Sequence, residues 1–97
     1  MENVSRMGSV IVTYKVFPTD IMSDFKPMKK NLEASLPASS SIEGYGEEDV
    51  AYGLKALLVQ VKFPEDQTGL VDEFEGKLES MEGVSQVQTI MVRRTSR

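Results

Sequence analysis

The stretch "LKALLVQVKF", Leu54 to Phe63, decides the fold. Leu57, Val59, Val61 and Phe63 fall at every second position, with Gln60 and Lys62 between them. A period of two sends alternate side chains to opposite sides of an extended chain, so this is a strand with one apolar face. Pro64 has no N–H to give a neighbouring strand and ends it. Leu54 is out of phase with Leu57, which predicts a bulge near Lys55-Ala56.

The same period appears upstream in "SVIVTYKVF", Ser9 to Phe17, where Val10, Val12, Tyr14 and Val16 alternate with Ser9, Thr13 and Lys15. Ile11 interrupts the polar side, so that face is expected to be partly covered, and Tyr14 reads as core or rim. "VSQVQTIMVRR", starting at Val84, reads as a last strand. "ASSSIEGYGEED" gives a short edge strand over Ser41–Gly46, followed by a loop at Glu47–Asp49.

Two segments switch to helical spacing. Phe25, Met28, Leu32 and Leu36 form one stripe, with Ser23 or Asp24 as N-cap, Pro27 in the first turn and Pro37 past the end. Leu70/Val71, Phe74, Leu78 and Met81 form another, with Asp66 or Thr68 as N-cap and Gly83 at C′. The order strand, helix, strand, strand, helix, strand predicts an α+β, ferredoxin-like βαββαβ sandwich: a four-stranded antiparallel sheet with two helices on one face. At 97 residues the chain holds one such core. Residues 1–7 are expected to be an N-terminal extension, because Met7-Gly8 has the form of a second start, and 8–97 a single domain.

Composition removes most chemistry. There is no cysteine and no histidine, so disulfides, thiolates, zinc sites and imidazole acid–base catalysis are absent. No motif sets two carboxylates in an apolar pocket. Neither an enzyme, nor a metal, nor a cofactor is expected. The net charge of −4 gives no global attraction to nucleic acid, and basic residues do not flank aromatics on the central strands, so no direct nucleic-acid partner is expected. The longest apolar run, Ala56 to Val59, is too short to cross a membrane, and the N-terminus lacks a signal-peptide core, so a cytoplasmic location is expected.

Three features remain as candidate sites. Glu47, Glu48 and Asp49 form either a solvated loop or a hard-cation site, without the spacing of a calcium loop. Arg93-Arg94 is either a solubilising end or a hook for phosphate or an acidic surface. At Tyr52-Gly53 the glycine allows a turn into the strand; the tyrosine either packs over it or stands out as an interface anchor.

"MGSVIVTYKVFP" (Met7–Pro18), "VAYGLKALLVQV" (Val50–Val61) and "MEGVSQVQTIMVRR" (Met81–Arg94) together resemble archaeal translation elongation factor one-beta. The most specific piece is Val50–Leu57, which is similar to the family's I-[AG]-F-G-[LI]-K-[AK]-L motif. The resemblance implies the ferredoxin-like fold and a guanine nucleotide exchange factor for the GTPase elongation factor one-alpha. It implies that Tyr52, followed by Gly53, wedges into that partner. It also implies that the basic residue disturbing the magnesium and phosphate site falls at Arg94, beside Arg93. Tyr stands where the family has Phe, and Arg where it has Lys; a tyrosine wedge needs its hydroxyl in water or on a partner group. A monomer is expected. The alternative from a different class is a ferredoxin-like regulatory domain that dimerises and binds a small metabolite.

Overall fold

In the computed structural model the described residues are 8–19, 24–37, 39–51, 53–65 and 69–95. The elements are β1 (Ser9–Pro18), α1 (Lys26–Ala34), β2 (Ser41–Ala51), β3 (Leu54–Pro64), α2 (Leu70–Glu79) and β4 (Val84–Thr95). The strands lie in the order β2-β3-β1-β4, each antiparallel to its neighbours. This is the ferredoxin-like arrangement.

Strand alternation builds the core directly. Residues opposite each other in an antiparallel pair share a face. Val12 faces Val61, Tyr14 faces Val59 and Val16 faces Leu57, and all six are at most 1% exposed. Phe25, Met28 and Leu32 of the α1 segment and Phe74 and Leu78 of α2 close over that face. Both helical stripes therefore cover one side of the sheet. Among the described residues the other side has no helix, and Ile11 there is only 9% exposed, as its break in the polar face led one to expect.

Several boundaries differ from expectation. β2 continues to Ala51, so Glu47–Asp49 is strand and not loop. The backbone groups that this edge strand turns toward β3 are paired there, with Glu47 opposite Leu57, Glu48 opposite Ala56 and Asp49 opposite Lys55. β3 pairs with β1 without a register shift, and the irregularities fall instead on β2, between Ile42 and Gly44 and between Asp49 and Ala51. Leu54 is consequently not returned to the core; it shares the phase of Ala56 and Leu58.

Helix α1 has Phe25 at the N-cap position, and Asp24 Oδ1 accepts the Lys26 N–H at 3.0 Å. Pro27 sits in the first turn as expected, while Ser23 lies outside the described residues. Helix α2 starts after Gly69; Asp66 and Thr68 lie outside the described residues. It ends at Glu79, where the Ser80 hydroxyl donates to the Gly76 carbonyl at 2.9 Å. Gly83 is therefore not its C′ residue. It turns the chain into β4 with φ +89°.

One core side chain carries a polar group. The Tyr14 hydroxyl donates to Glu75 Oε2 at 3.1 Å, and its ring packs 5.8 Å from Phe74. Burial first, then the negative charge and hydrogen bond of Glu75, with a further push from Asp72, hold its ionisation far above the ordinary tyrosine range. The folded state thus keeps this proton after the unfolded chain has released its own. Stability from this group is complete below pH ~10 and is lost as pH rises above it, by up to ~1.4 kcal/mol per pH unit. Urea melts between pH 9 and 12 are expected to fall less steeply for Tyr14→Phe than for the natural chain. Equal slopes would show that Tyr14 is not responsible.

Candidate functional site

The distal end of the β2–β3 hairpin runs beyond its pairing with β1. The β1–β3 register stops at Val16 opposite Leu57, so Leu54, Lys55 and Ala56 pair with β2 alone. Gly53 lies in the two-residue connection between the strands, with φ +82°. A Cβ there would meet nothing within 4 Å. Space does not demand glycine at this position; the left-handed backbone does. Tyr52 lies outside the described residues. Val50, two residues before it, is 39% exposed.

Charge around this tip is mixed. Lys55 Nζ is 3.9 Å from Glu47 Oε1, and Lys15 Nζ on β1 is 3.3 Å from Glu48 Oε1. The acidic run is therefore partly neutralised from both sides of the hairpin. No cluster of three or more His, Cys, Asp or Glu able to hold a metal occurs among the described residues.

Arg93 and Arg94 lie at the other end of the sheet, opposite Ile11 and Val10 of β1. Arg94 reaches Glu65 Oε2 at 3.1 Å, with its own side chain 76% exposed. Arg93 is exposed and makes no ion pair among the described residues. Just before them Ile90, Met91 and Val92 are 49%, 55% and 61% exposed. Successive strand residues point to opposite faces, so one helix layer cannot cover all three. The pairing shift that sets Met91 opposite Thr13 and Thr89 opposite Tyr14 leaves Ile90 as the extra residue. Sequence reading missed this strip. Its signal was three successive apolar residues where alternation should have placed a polar one.

The structure does not bring the two candidate groups together. Gly53 adjoins Leu54, whereas Arg94 is level with Phe63, because both flank Val10. Nine strand positions separate Leu54 from Phe63, roughly 30 Å at ~3.3 Å per residue. The molecule measures 52 × 20 × 18 Å along its principal axes, which leaves room for that separation. Any partner that touches both groups does so at two distinct places.

The surface hollows carry no reactive constellation. One of about 230 Å³ is floored by Thr13, Leu58 and Gln60 beside Gly44 and Gly46 on the helix-free face. Another, of about 510 Å³, runs along the lysine side of α1 at Lys26, Lys29 and Lys30. No helix among the described residues is long and apolar enough to cross a membrane.

The EF-1 guanine nucleotide exchange domain matches residues 11–97. Elongation factor 1-beta of Staphylothermus marinus is 39% identical over 88 residues, 91% of this chain and 98% of the relative. Elongation factor 1-beta of Aeropyrum pernix is 36% identical over the same coverage. That of Methanothermobacter thermautotrophicus is 35% identical over 91% of this chain and 98% of its own.

Proposed function

Since the chain belongs to the family of EF-1 guanine nucleotide exchange domains, together with the elongation factors 1-beta, we propose that it promotes GDP release from the translational GTPase elongation factor one-alpha in the cytoplasm. The observation that carries this reading is the position of the family-like segment Val50–Leu57. It spans the end of β2, the turn and the start of β3, which is the projecting end of the molecule.

The action is a shift of equilibrium and needs no covalent step. A factor that binds the nucleotide-free GTPase more tightly than the GDP-bound form lowers GDP affinity by the same ratio. A chain with neither histidine nor cysteine can do this, because shape and charge are all it must supply. In this reading the Tyr52-Gly53 tip and the Arg93-Arg94 end make separate contacts with one GTPase, about a sheet length apart. Glu65 neutralises Arg94 in the free protein, and at 3.1 Å with a largely exposed guanidinium this pair is weak enough to be exchanged for a partner's anion.

The test loads the GTPase with fluorescent GDP and follows release under excess GTP. The natural chain at micromolar concentration is expected to accelerate release, and Arg93→Ala/Arg94→Ala to retain only part of that acceleration. No acceleration by the natural chain would overturn the reading. Full activity of the double variant would remove the basic end from it.

A further inference from the structure

We propose that Lys15 is a positioning residue for nucleotide exchange, acting as a clamp that fixes the projecting hairpin tip relative to the sheet. This rests on the exchange reading above. The starting point is that the distal hairpin lacks the usual support. Leu54–Ala56 are paired to a strand on one side only, and a two-stranded ribbon by itself is marginal in water. Its β2 arm also carries three successive carboxylates, Glu47, Glu48 and Asp49, which repel one another.

Lys15 answers both problems from outside the hairpin. It sits on β1, opposite Leu58 of β3, and Leu58 in turn faces Gly46 of β2. Its ammonium nonetheless meets Glu48 Oε1 at 3.3 Å, so the side chain spans the whole width of β3 and ties the first strand to the third in the row. Ala56 is the residue opposite Glu48 and is 0% exposed although its face has no helix. Its small side chain leaves a passage for the lysine stem, and Phe17, half-buried one row on, places its ring 5.3 Å beneath the ammonium. The Lys15 side chain is only 17% exposed, whereas that of Glu48 is 53% exposed. A lysine this covered on an open sheet face is held in one place. Lys55 to Glu47, at 3.9 Å with both side chains about half-exposed, is the looser pair and joins only the two arms of the hairpin. Of these two pairs, only the one from Lys15 ties the tip to another strand.

The consequence for exchange follows from preorganisation. If the tip also samples other angles, only a fraction of molecules is competent to bind, and the concentration needed rises by the inverse of that fraction. The bound state itself is unchanged, and so is the maximal rate. Lys15→Met, which keeps the stem over Ala56 and removes the charge, is expected to raise the half-saturating concentration of factor about two- to fivefold at an unchanged maximal rate. Glu48→Gln is expected to do the same, and the exchanged pair Lys15→Glu/Glu48→Lys to recover most of the loss.

Two measurements decide it. The first is GDP release titrated with each variant, beside thermal melting. A purely structural lysine would lower the melting midpoint and leave the half-saturating concentration at 25 °C unmoved, and that result overturns the proposal. So does an exchanged pair no better than the single variants. The second needs no GTPase: amide hydrogen exchange by mass spectrometry. In Lys15→Met, protection over residues 47–56 is expected to fall several-fold while the β1–β4 ladder keeps its own. Unaltered protection at the tip overturns the clamp even if the natural chain proves active. Lost protection with an inactive natural chain would overturn the exchange reading instead.

Discussion

Replacing Tyr52 with alanine is expected to cut exchange on the GTPase about 30-fold. The figure comes from what an aromatic anchor carries when it enters a partner's pocket: truncation of such residues typically costs ~2 kcal/mol or more, and ~1.4 kcal/mol is a factor of ten in rate. The melting midpoint should stay within about 3 °C, the shift that a change near 0.5 kcal/mol gives in a domain of this size. The two readouts separate the two meanings of the residue. A large fall in exchange with an unmoved midpoint is the signature of a contact made only with the partner. A midpoint lowered by ten degrees or more would show instead that Tyr52 packs within its own chain. Tyr52→Phe supplies the family's usual residue and tests the hydroxyl, since a phenol bonded to the partner loses activity on this change and a phenol in water does not.

The largest effect on stability is expected at Phe74. It is 0% exposed, with its ring 5.8 Å from Tyr14 and 5.9 Å from Phe63, so one side chain on α2 joins both central strands. Phe→Ala in a core removes transfer free energy and leaves a cavity, together ~3–5 kcal/mol. Small domains hold only ~5–15 kcal/mol in all. Phe74→Ala should therefore lower the melting midpoint by roughly 20 °C and leave a measurable unfolded fraction near 37 °C. Urea denaturation of Phe74→Ala beside Phe74→Leu gives the check. A loss under 1 kcal/mol for the alanine variant would mean that α2 is not essential to the core.

The regular elements were legible because each writes its period into its side chains. β1 and β3 declare themselves by alternation at Val12/Tyr14/Val16 and at Leu57/Val59/Val61/Phe63, and those residues are the core face. β2 was half-hidden. The segment "EGYGEED", Glu43 to Asp49, holds two glycines and four acids, a composition that is not strand-forming in itself. Its strand is imposed by the β3 ladder and by Tyr45, whose hydroxyl donates to Glu33 on α1 at 3.1 Å while Lys29 lies 4.8 Å over its ring. The sequence predicts a bulge on β3 because Leu54 reads as a core leucine, whereas the irregularity lies on β2. Nothing in a linear sequence says that the partner strand, and not its own, absorbs the mismatch. For the site, the sequence supplied residues but not distances: only the antiparallel order puts Gly53 and Arg93-Arg94 at opposite ends of the sheet. The reach of Lys15 across β3 to Glu48 is equally invisible, since it depends on which strand lies between them.

The lone hairpin at the end of the sheet also behaves as a ruler with coarse divisions. Each residue removed from both arms would draw the tip in by ~3.3 Å, but it would also turn the tip's side chains to the opposite face. Only removals of two per arm preserve the facing, and these shorten the molecule by ~6.6 Å. The span between its two ends can therefore evolve only in paired steps, and in the proposed reading the two contact points on the GTPase would shift by the same increments.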